Sequence, residues 1–281
     1  MNIFDILVCP VCGVKLDENL RCLSCGAEYV NRLAVFDLIS TEVSGDQVSL
    51  WGIDENVFAD EAQLNTHNEK QQEMIADYHA HINQESKVAE AMLNACTQEA
   101  VKDVSGVVCD LATGNGGMLA CLLEHSRAER IVCTDIDPLV LARTRVRLNT
   151  DDTKVYYVGS DGRQMSLADN SFDFVTSLAG LGNMPETDRV CRELYRILKP
   201  GGVFLMKSSY LEQGSRSHEI AKELKLDKGL IEEELTACLY SAGFAKVEST
   251  VAGTAVWAEN PYDLLPVAGD RQRYCLITAV K

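Results

Sequence analysis

Val107-Val108-Cys109-Asp110-Leu111-Ala112-Thr113-Gly114-Asn115-Gly116-Gly117 decides the fold of this 281-residue chain. An apolar run meets an acidic residue, then a glycine-rich turn, then the helix-like segment Met118 to Glu124. That order describes a buried parallel strand feeding a tight turn that opens a helix. Glycine at 114 and 116 permits positive φ and lets a ligand come close to the main chain.

Downstream, strands and helices alternate, which implies a parallel sheet with right-handed crossovers. Gly106–Ala112 is the first strand and Arg130–Asp135 the second, and Asp137 caps a helix that starts at Pro138. Lys154–Asp161 and Phe172–Ala179 follow as strands, Pro185–Leu198 as a helix, and Val203–Ser208 as a fifth strand after the turn Lys199-Pro200-Gly201-Gly202. A last helix near Leu230–Ala242 precedes two β-rich segments, 244–258 and 271–280.

Two features narrow the ligand of the turn. Asp135 ends the second strand about 20 residues after the glycines, where a carboxylate accepts hydrogen bonds from both hydroxyls of a ribose. The third glycine of a G-x-G-x-x-G dinucleotide fingerprint is replaced by Leu119, so the pyrophosphate signature is incomplete. An adenosine ligand without phosphates stays compatible.

Two knuckles, Cys9-Pro10-Val11-Cys12-Gly13 and Cys22-Leu23-Ser24-Cys25-Gly26, stand nine residues apart near the amino terminus. Four thiolates at this spacing close a tetrahedral Zn²⁺ shell, and the glycine after each pair suits the turn that aims backbone amides at sulfur. With Cys9, Cys12, Cys22 and Cys25 all used, the metal is structural. A redox or a disulfide pair is the alternative, and the doubling of the knuckle counts against both. Glu28–Leu38 is expected as a third strand packing on this ribbon.

The net charge of −16 is uneven: residues 41–101 carry 2 basic and 12 acidic side chains. Such a balance opposes non-specific binding to polyphosphate. Within this connector Ser44-Gly45-Asp46 reads as a linker turn, and Met74, Ile75, Tyr78 and Ile82 recur at helical spacing. Ser86 is expected to cap a second helix with Val88, Met92 and Ala95 on one face. His79 and His81 are two apart and point to different sides of a helix, which makes a poor metal pair. The other seven of the eleven cysteines are scattered among apolar residues, which points to a reducing compartment, and a cytoplasmic location is the default. No apolar run approaches the ~20 residues of a membrane span.

Asp110-x-Ala112-x-Gly114-x-Gly116, Asp135-Ile136, Gly159-Ser160-Asp161-Gly162, Asn170–Val175 and Arg196–Gly202 occur in the order and spacing of five motifs. Together they resemble the class I S-adenosylmethionine-dependent methyltransferases, in particular the group that includes quinone C-methyltransferases. The resemblance covers 105–207, with alanine at the first glycine position of the first motif. It implies an α/β, Rossmann-like mixed sheet of seven strands, the last antiparallel and strands six and seven drawn from 254–281. It implies S-adenosylmethionine as cofactor, with the first motif (Asp110, Ala112, Gly114, Gly116) beneath it. By the same resemblance Asp135 binds the ribose, Ile136 stacks on adenine, Asp161 in the segment with Gly162 contacts the adenine amino group, and Leu178 is a further cofactor-binding residue. The helices around Tyr78 become a lid. The ribbon resembles those of small methyltransferase activator subunits, which carry Asp-Gly-Ile-Pro where Arg32-Leu33-Ala34-Val35 stands here.

The implied division is a zinc ribbon at 1–40, an acidic helical connector at 41–103 and a methyltransferase domain at 104–281. Transfer from a sulfonium needs positioning and water exclusion rather than a fixed catalytic constellation, and the sequence displays none. Ser177-Leu178-Ala179-Gly180 replaces the Asn/Asp-Pro-Pro-aromatic motif of exocyclic-amine methylation, and Cys191 falls within a helix rather than after strand four as a nucleophile. The expected acceptor is a small molecule or a protein, with no membrane involved. The pattern sets no oligomeric state. An rRNA guanine-type methyltransferase is the alternative, opposed by the acidic connector and by a ribbon holding only Lys15, Arg21 and Arg32 as cations. A non-catalytic zinc- and cofactor-binding interaction protein is the third reading.

Overall fold

The computed structural model describes residues 2–40 and 60–281; the turn expected at Ser44-Gly45-Asp46 lies outside them. Strands are β1 (Val30–Arg32), β2 (Val35–Asp37), β3 (Ser105–Leu111), β4 (Arg127–Asp135), β5 (Val155–Gly159), β6 (Phe172–Leu178), β7 (Leu198–Leu211), β8 (Lys246–Val256) and β9 (Arg271–Val280). Helices are α1 (Glu61–His81), α2 (Gln84–Val101), α3 (Gly117–His125), α4 (Pro138–Leu148), α5 (Thr187–Ile197), α6 (Arg216–Glu223), the single turn α7 (Asp227–Leu230) and α8 (Glu232–Ala242).

Among the described residues these nine strands form one sheet in the order β1-β2-β5-β4-β3-β6-β7-β9-β8. Strands β3 to β7 run parallel, and β9 is antiparallel to both its neighbours. The seven strands from β5 to β8 are the expected α/β sheet. Its sixth strand begins at Lys246 rather than within 254–281, because β8 must match the length of β9 to satisfy its edge carbonyls and amides.

Alternation along the central strands builds two cores. Val108, Ile131, Cys133, Val155 and Tyr157 face α2, α3, α4 and Leu64 of α1. Cys109, Leu111, Val132 and Val158 face α5, α8 and the ribbon, whose Ile3, Leu7, Leu16 and Leu20 enter the same cluster.

Three expectations are corrected. Glu28–Leu38 is not one strand on the ribbon: β1 and β2 form a hairpin, and β2 pairs parallel with β5 at the edge of the main sheet. The turn falls on Leu33 and Ala34, both at positive φ (52° and 59°), where no glycine or asparagine marks it. Second, Asn83 and not Ser86 caps α2, its Oδ1 accepting from Ser86 N at 2.8 Å while its Nδ2 donates to Val256 O at 2.7 Å. Third, α2 turns Ala89, Leu93, Thr97 and Val101 inward and leaves Val88, Met92 and Ala95 exposed. A Cβ on Gly253 of β8 would stand 3.0 Å from Ala89, so helix and strand approach too closely for larger side chains between them. Helix α6, capped by Ser215, had no expectation attached.

Helix α1 crosses the carboxyl edge of the sheet, its 21 residues spanning about 31 Å. Asn68 Nδ2 donates to Arg143 O of α4 near its start, and Asn260 Nδ2 of the β8–β9 loop donates to Tyr78 O near its end.

Candidate active site

The turn after β3 sits where the strand order reverses, with β4 on one side and β6 on the other. In open α/β sheets this crevice, at the carboxyl ends of the strands, takes ligands. Ala112, Gly114 and Gly116 all hold positive φ (51°, 50° and 72°). A Cβ on Gly116 would lie 2.6 Å from Thr144 Cγ2 and 2.9 Å from Leu148 Cδ1, so this glycine is required by backbone and packing alike. Gly114 is different. A Cβ there would meet only Ala112 O, at 3.8 Å, so its outer side is open to a ligand. Ala112 adopts the left-handed conformation at a cost of about 1 kcal/mol that a glycine there would not incur.

The turn is clamped from beneath: Thr144 Oγ1 donates to Gly114 O at 2.7 Å, Thr113 N to Thr134 O at 2.9 Å, and Arg147 to Asn115 O. Asp135 touches it directly, its Oδ2 accepting from Gly114 N at 2.9 Å and its Oδ1 from Asp137 N at 3.1 Å. Burial pushes the Asp135 carboxyl upward, and those backbone amides oppose the shift by stabilising the charged form. Ile136 is half-buried beside it, and Leu178 is partly exposed at the end of β6 with its Cδ1 3.0 Å from where a Cβ of Gly117 would be.

Asp110 lies fully buried under the turn, without a surface toward the crevice. Thr176 Oγ1 donates to its Oδ1 at 3.0 Å, while Oδ2 has no hydrogen-bond partner among the described residues. Burial pushes this carboxyl up to about 7. Asp161 is also buried, and its carboxylate holds Arg163 through Nε at 3.0 Å and Nη2 at 2.7 Å. Gly162 packs below Met184, whose sulfur a Cβ would meet at 2.9 Å. The structure thus gathers Gly114, Gly116, Asp135, Ile136 and Leu178 around one crevice, and places Asp110 behind it and Asp161 in an ion pair.

Sequence reading missed Ala179 to Asn183, a short turn over the same edge. Gly180 fits there because a Cβ would stand 2.7 Å from Ala112 Cβ and 2.6 Å from Ser177 Oγ. The signal was present in Ala179-Gly180-Leu181-Gly182, two glycines directly after a strand. Two of the five motifs act elsewhere: Asp173 accepts from Val107 N at 2.9 Å and pairs with Lys199 at 2.8 Å, tying β3, β6 and β7 together at the opposite edge.

The four ribbon sulfurs lie within 4.8 Å of one another, with Cys9–Cys25 at 3.6 Å and Cys12–Cys22 at 3.4 Å. Zn–S bonds of ~2.3 Å in a tetrahedron require sulfurs about 3.8 Å apart, so the donor set fits zinc. Gly13 N donates to Cys9 O and Gly26 N to Cys22 O, each glycine at positive φ. The Cys25 backbone amide lowers the Cys22 thiol, while hydrogen bonds with the neighbouring thiols raise Cys25 against the Ala27 amide, so the clustered groups share their protons and titrate as a set. The ribbon also reaches the segment after β5: Val8 N donates to Ser166 O, Ala168 N to Ile6 O, and Gln164 to Pro10 O. A cavity of about 680 Å³ separates it from α5, and of its arginines Arg163 and Arg196 are already engaged by Asp161 and Glu193.

Residues 109–206 match the methyltransferase domain family. This segment is a methyltransferase domain. The chain is 33% identical over 95 residues to the demethylmenaquinone methyltransferase of Thermus thermophilus, covering 34% of this chain and 43% of that protein. It is 33% identical over 121 residues to the ubiquinone/menaquinone biosynthesis C-methyltransferase UbiE of Shewanella frigidimarina, covering 42% of this chain and 46% of that one. The chain therefore spans less than half the length of these curated relatives. The fold of the methyltransferase domain is shared with Haemonchus contortus phosphoethanolamine N-methyltransferase 2 in complex with S-adenosyl-L-methionine, at a TM-score of 0.52 and 21% identity over 67% of this chain and 52% of that one.

Proposed function

We propose that this protein transfers the methyl group of S-adenosylmethionine to a small-molecule or protein acceptor, and that Cys9, Cys12, Cys22 and Cys25 hold a structural zinc ion. The observation that carries the first part is the contact of Gly114 N with the Asp135 carboxylate beside an open glycine face. A closed set of four thiolates leaves no position for chemistry at the metal, which supports a structural role.

In this reading Asp135 accepts hydrogen bonds from the two ribose hydroxyls, Ile136 covers one face of the adenine, and Gly114 admits the chain of the amino acid against the backbone. Asp161, locked by Arg163, shapes the adenine end with Gly162, and Asp110 stiffens the turn from behind. Leu178 and the turn at Ala179 to Asn183 exclude water from the reacting centre, with α1 above as a lid. Bound there, the cofactor supplies a methyl group on a positively charged sulfur, and the protein contributes alignment rather than a base.

The same reading divides the chain into a zinc ribbon at 1–40, a connector at 41–103 and the methyltransferase domain from 104. Among the described residues no helix is long and apolar enough to cross a membrane, and free thiols throughout the core support action in the cytoplasm. Acidic partners on the groove arginines disfavour a nucleic-acid acceptor.

Titration calorimetry on the zinc-loaded chain tests the site. S-adenosylhomocysteine should bind saturably, and Asp135→Ala should weaken it by about tenfold or more, the loss of charge-assisted hydrogen bonds. Equal affinity in the two proteins would remove Asp135 from the site.

A further inference from the structure

A second cavity, about 230 Å³, lies on the helix face of the sheet between α2 and α3. Gly117, at the end of the glycine turn, and Leu178, at the end of β6, line it, so it adjoins the crevice described above. Lys207 enters it from β7. The register sets Lys207 opposite Leu178, and Ala179 N donates to Lys207 O at 2.9 Å, which fixes its backbone at the carboxyl edge.

Strand alternation makes this lysine unusual. Leu205, two residues earlier on the same face, belongs to the apolar core with Ala89, Leu93 and Met118. A lysine at the next inward position places an ammonium group where the pattern calls for a hydrophobe, and burying it uncompensated is costly. Nζ donates to Asn94 Oδ1 of α2, and no carboxylate of the described residues lies within the 4 Å of an ion pair. An ammonium has three N–H donors, so two remain for a ligand. Burial holds Lys207 below its ordinary value, and the more distant charge of Glu90 opposes that shift. Size completes the description. A cavity of ~150 Å³ holds benzene, so this one accommodates a single substituted ring.

We propose that Lys207, positioned by Asn94, is the anion-binding end of the methyl-acceptor pocket, and that the acceptor is a single-ring-sized molecule bearing an oxyanion, carboxylate or phenolate. The proposal rests on the reading of the adjacent turn as the S-adenosylmethionine site. An ammonium at this place favours the ionised acceptor over its neutral form and anchors it at the end of the cavity away from Glu124 and His125, which also line it.

The test uses the full zinc-loaded chain saturated with S-adenosylhomocysteine, titrated with benzoate against benzamide and with 4-nitrophenolate against nitrobenzene. The two pairs tell a carboxylate subsite from a phenolate one. At least one anion should bind about tenfold tighter than its neutral counterpart. Lys207→Met should erase that preference with S-adenosylhomocysteine affinity unchanged within about twofold. Asn94→Leu should reduce the preference severalfold, and it carries the comparison alone if Lys207→Met does not fold. Anions no better than their neutral counterparts, or a preference that survives both substitutions, would overturn the proposal. So would Lys207→Met weakening S-adenosylhomocysteine while sparing 5′-methylthioadenosine, because the lysine would then hold the cofactor's own carboxylate. If the wild-type chain binds no S-adenosylhomocysteine, the reading of the turn fails, and the anion preference still judges Lys207 independently.

Discussion

The ribbon and α1 both precede the methyltransferase domain in the chain and both reach its carboxyl edge, yet they are held in opposite ways. The ribbon is woven in: its hairpin extends the sheet through β2 and β5, and Ile3, Leu7, Leu16 and Leu20 join the core under α5 and α8. Its backbone bonds land on residues 159, 166 and 168, around Asp161 and Gly162. Helix α1 buries only Leu64 and Asn68 of its 21 residues and is fastened by side chains at its two ends. One attachment is a fixed brace on the segment after β5, which the proposed reading puts at the adenine end of the crevice. The other is a strap whose opening free energy is small, since local opening scales with buried contacts.

The largest effect that would break this contrast is expected from Cys22→Ser. Losing one thiol of the proposed zinc site should unravel the knuckles and remove the brace from the segment after β5, so the melting temperature should fall by about 10 °C. Affinity for S-adenosylhomocysteine should drop by about tenfold with it, measured by calorimetry beside the zinc content. A zinc-free variant with full cofactor affinity would mean that the ribbon is not a wall of the site.

Asn68→Ala should sharpen the comparison more gently. It leaves the Arg143 carbonyl without its buried donor, at about 1 kcal/mol. Amide exchange followed by mass spectrometry should quicken about fivefold in α1 while β1 and β2 stay protected. Faster exchange spread through the sheet would show that α1 is part of the core. The smallest effect belongs to the hairpin turn: Ala34→Gly relieves left-handed backbone strain and should stabilise the protein by roughly 0.5 kcal/mol in urea unfolding. A loss of stability there would show that the Ala34 side chain contributes packing that outweighs the strain.

Legibility followed how local each signal was. Asp137 caps α4 with Pro138 at its first position as expected, because capping involves residues a few positions apart. The crevice was readable as Gly114, Gly116 and Asp135 because the glycines and the following strand end carry their meaning within one strand–helix–strand unit. Asn83 displaced Ser86 as the cap because its amide also reaches Val256, a residue far along the chain. Which face of α2 packs was not marked locally for a similar reason: Val88 and Met92 are the more hydrophobic choice, and the approach of Gly253 to Ala89 favours the smaller stripe.

By itself, then, the sequence determined the alternation of strands and helices, the glycine turn with its acidic partner, and the cluster of four thiols. Each depends on backbone conformation or ligand chemistry set by near neighbours. The tertiary structure decided that the ribbon hairpin closes the β5 edge, that Asp161 is held by Arg163, and that Lys207 stands inside a cavity. Edge pairing, ion-pair choice and the burial of a charge depend on which distant surfaces meet, and the free energy of those meetings is shared among residues that no short stretch contains.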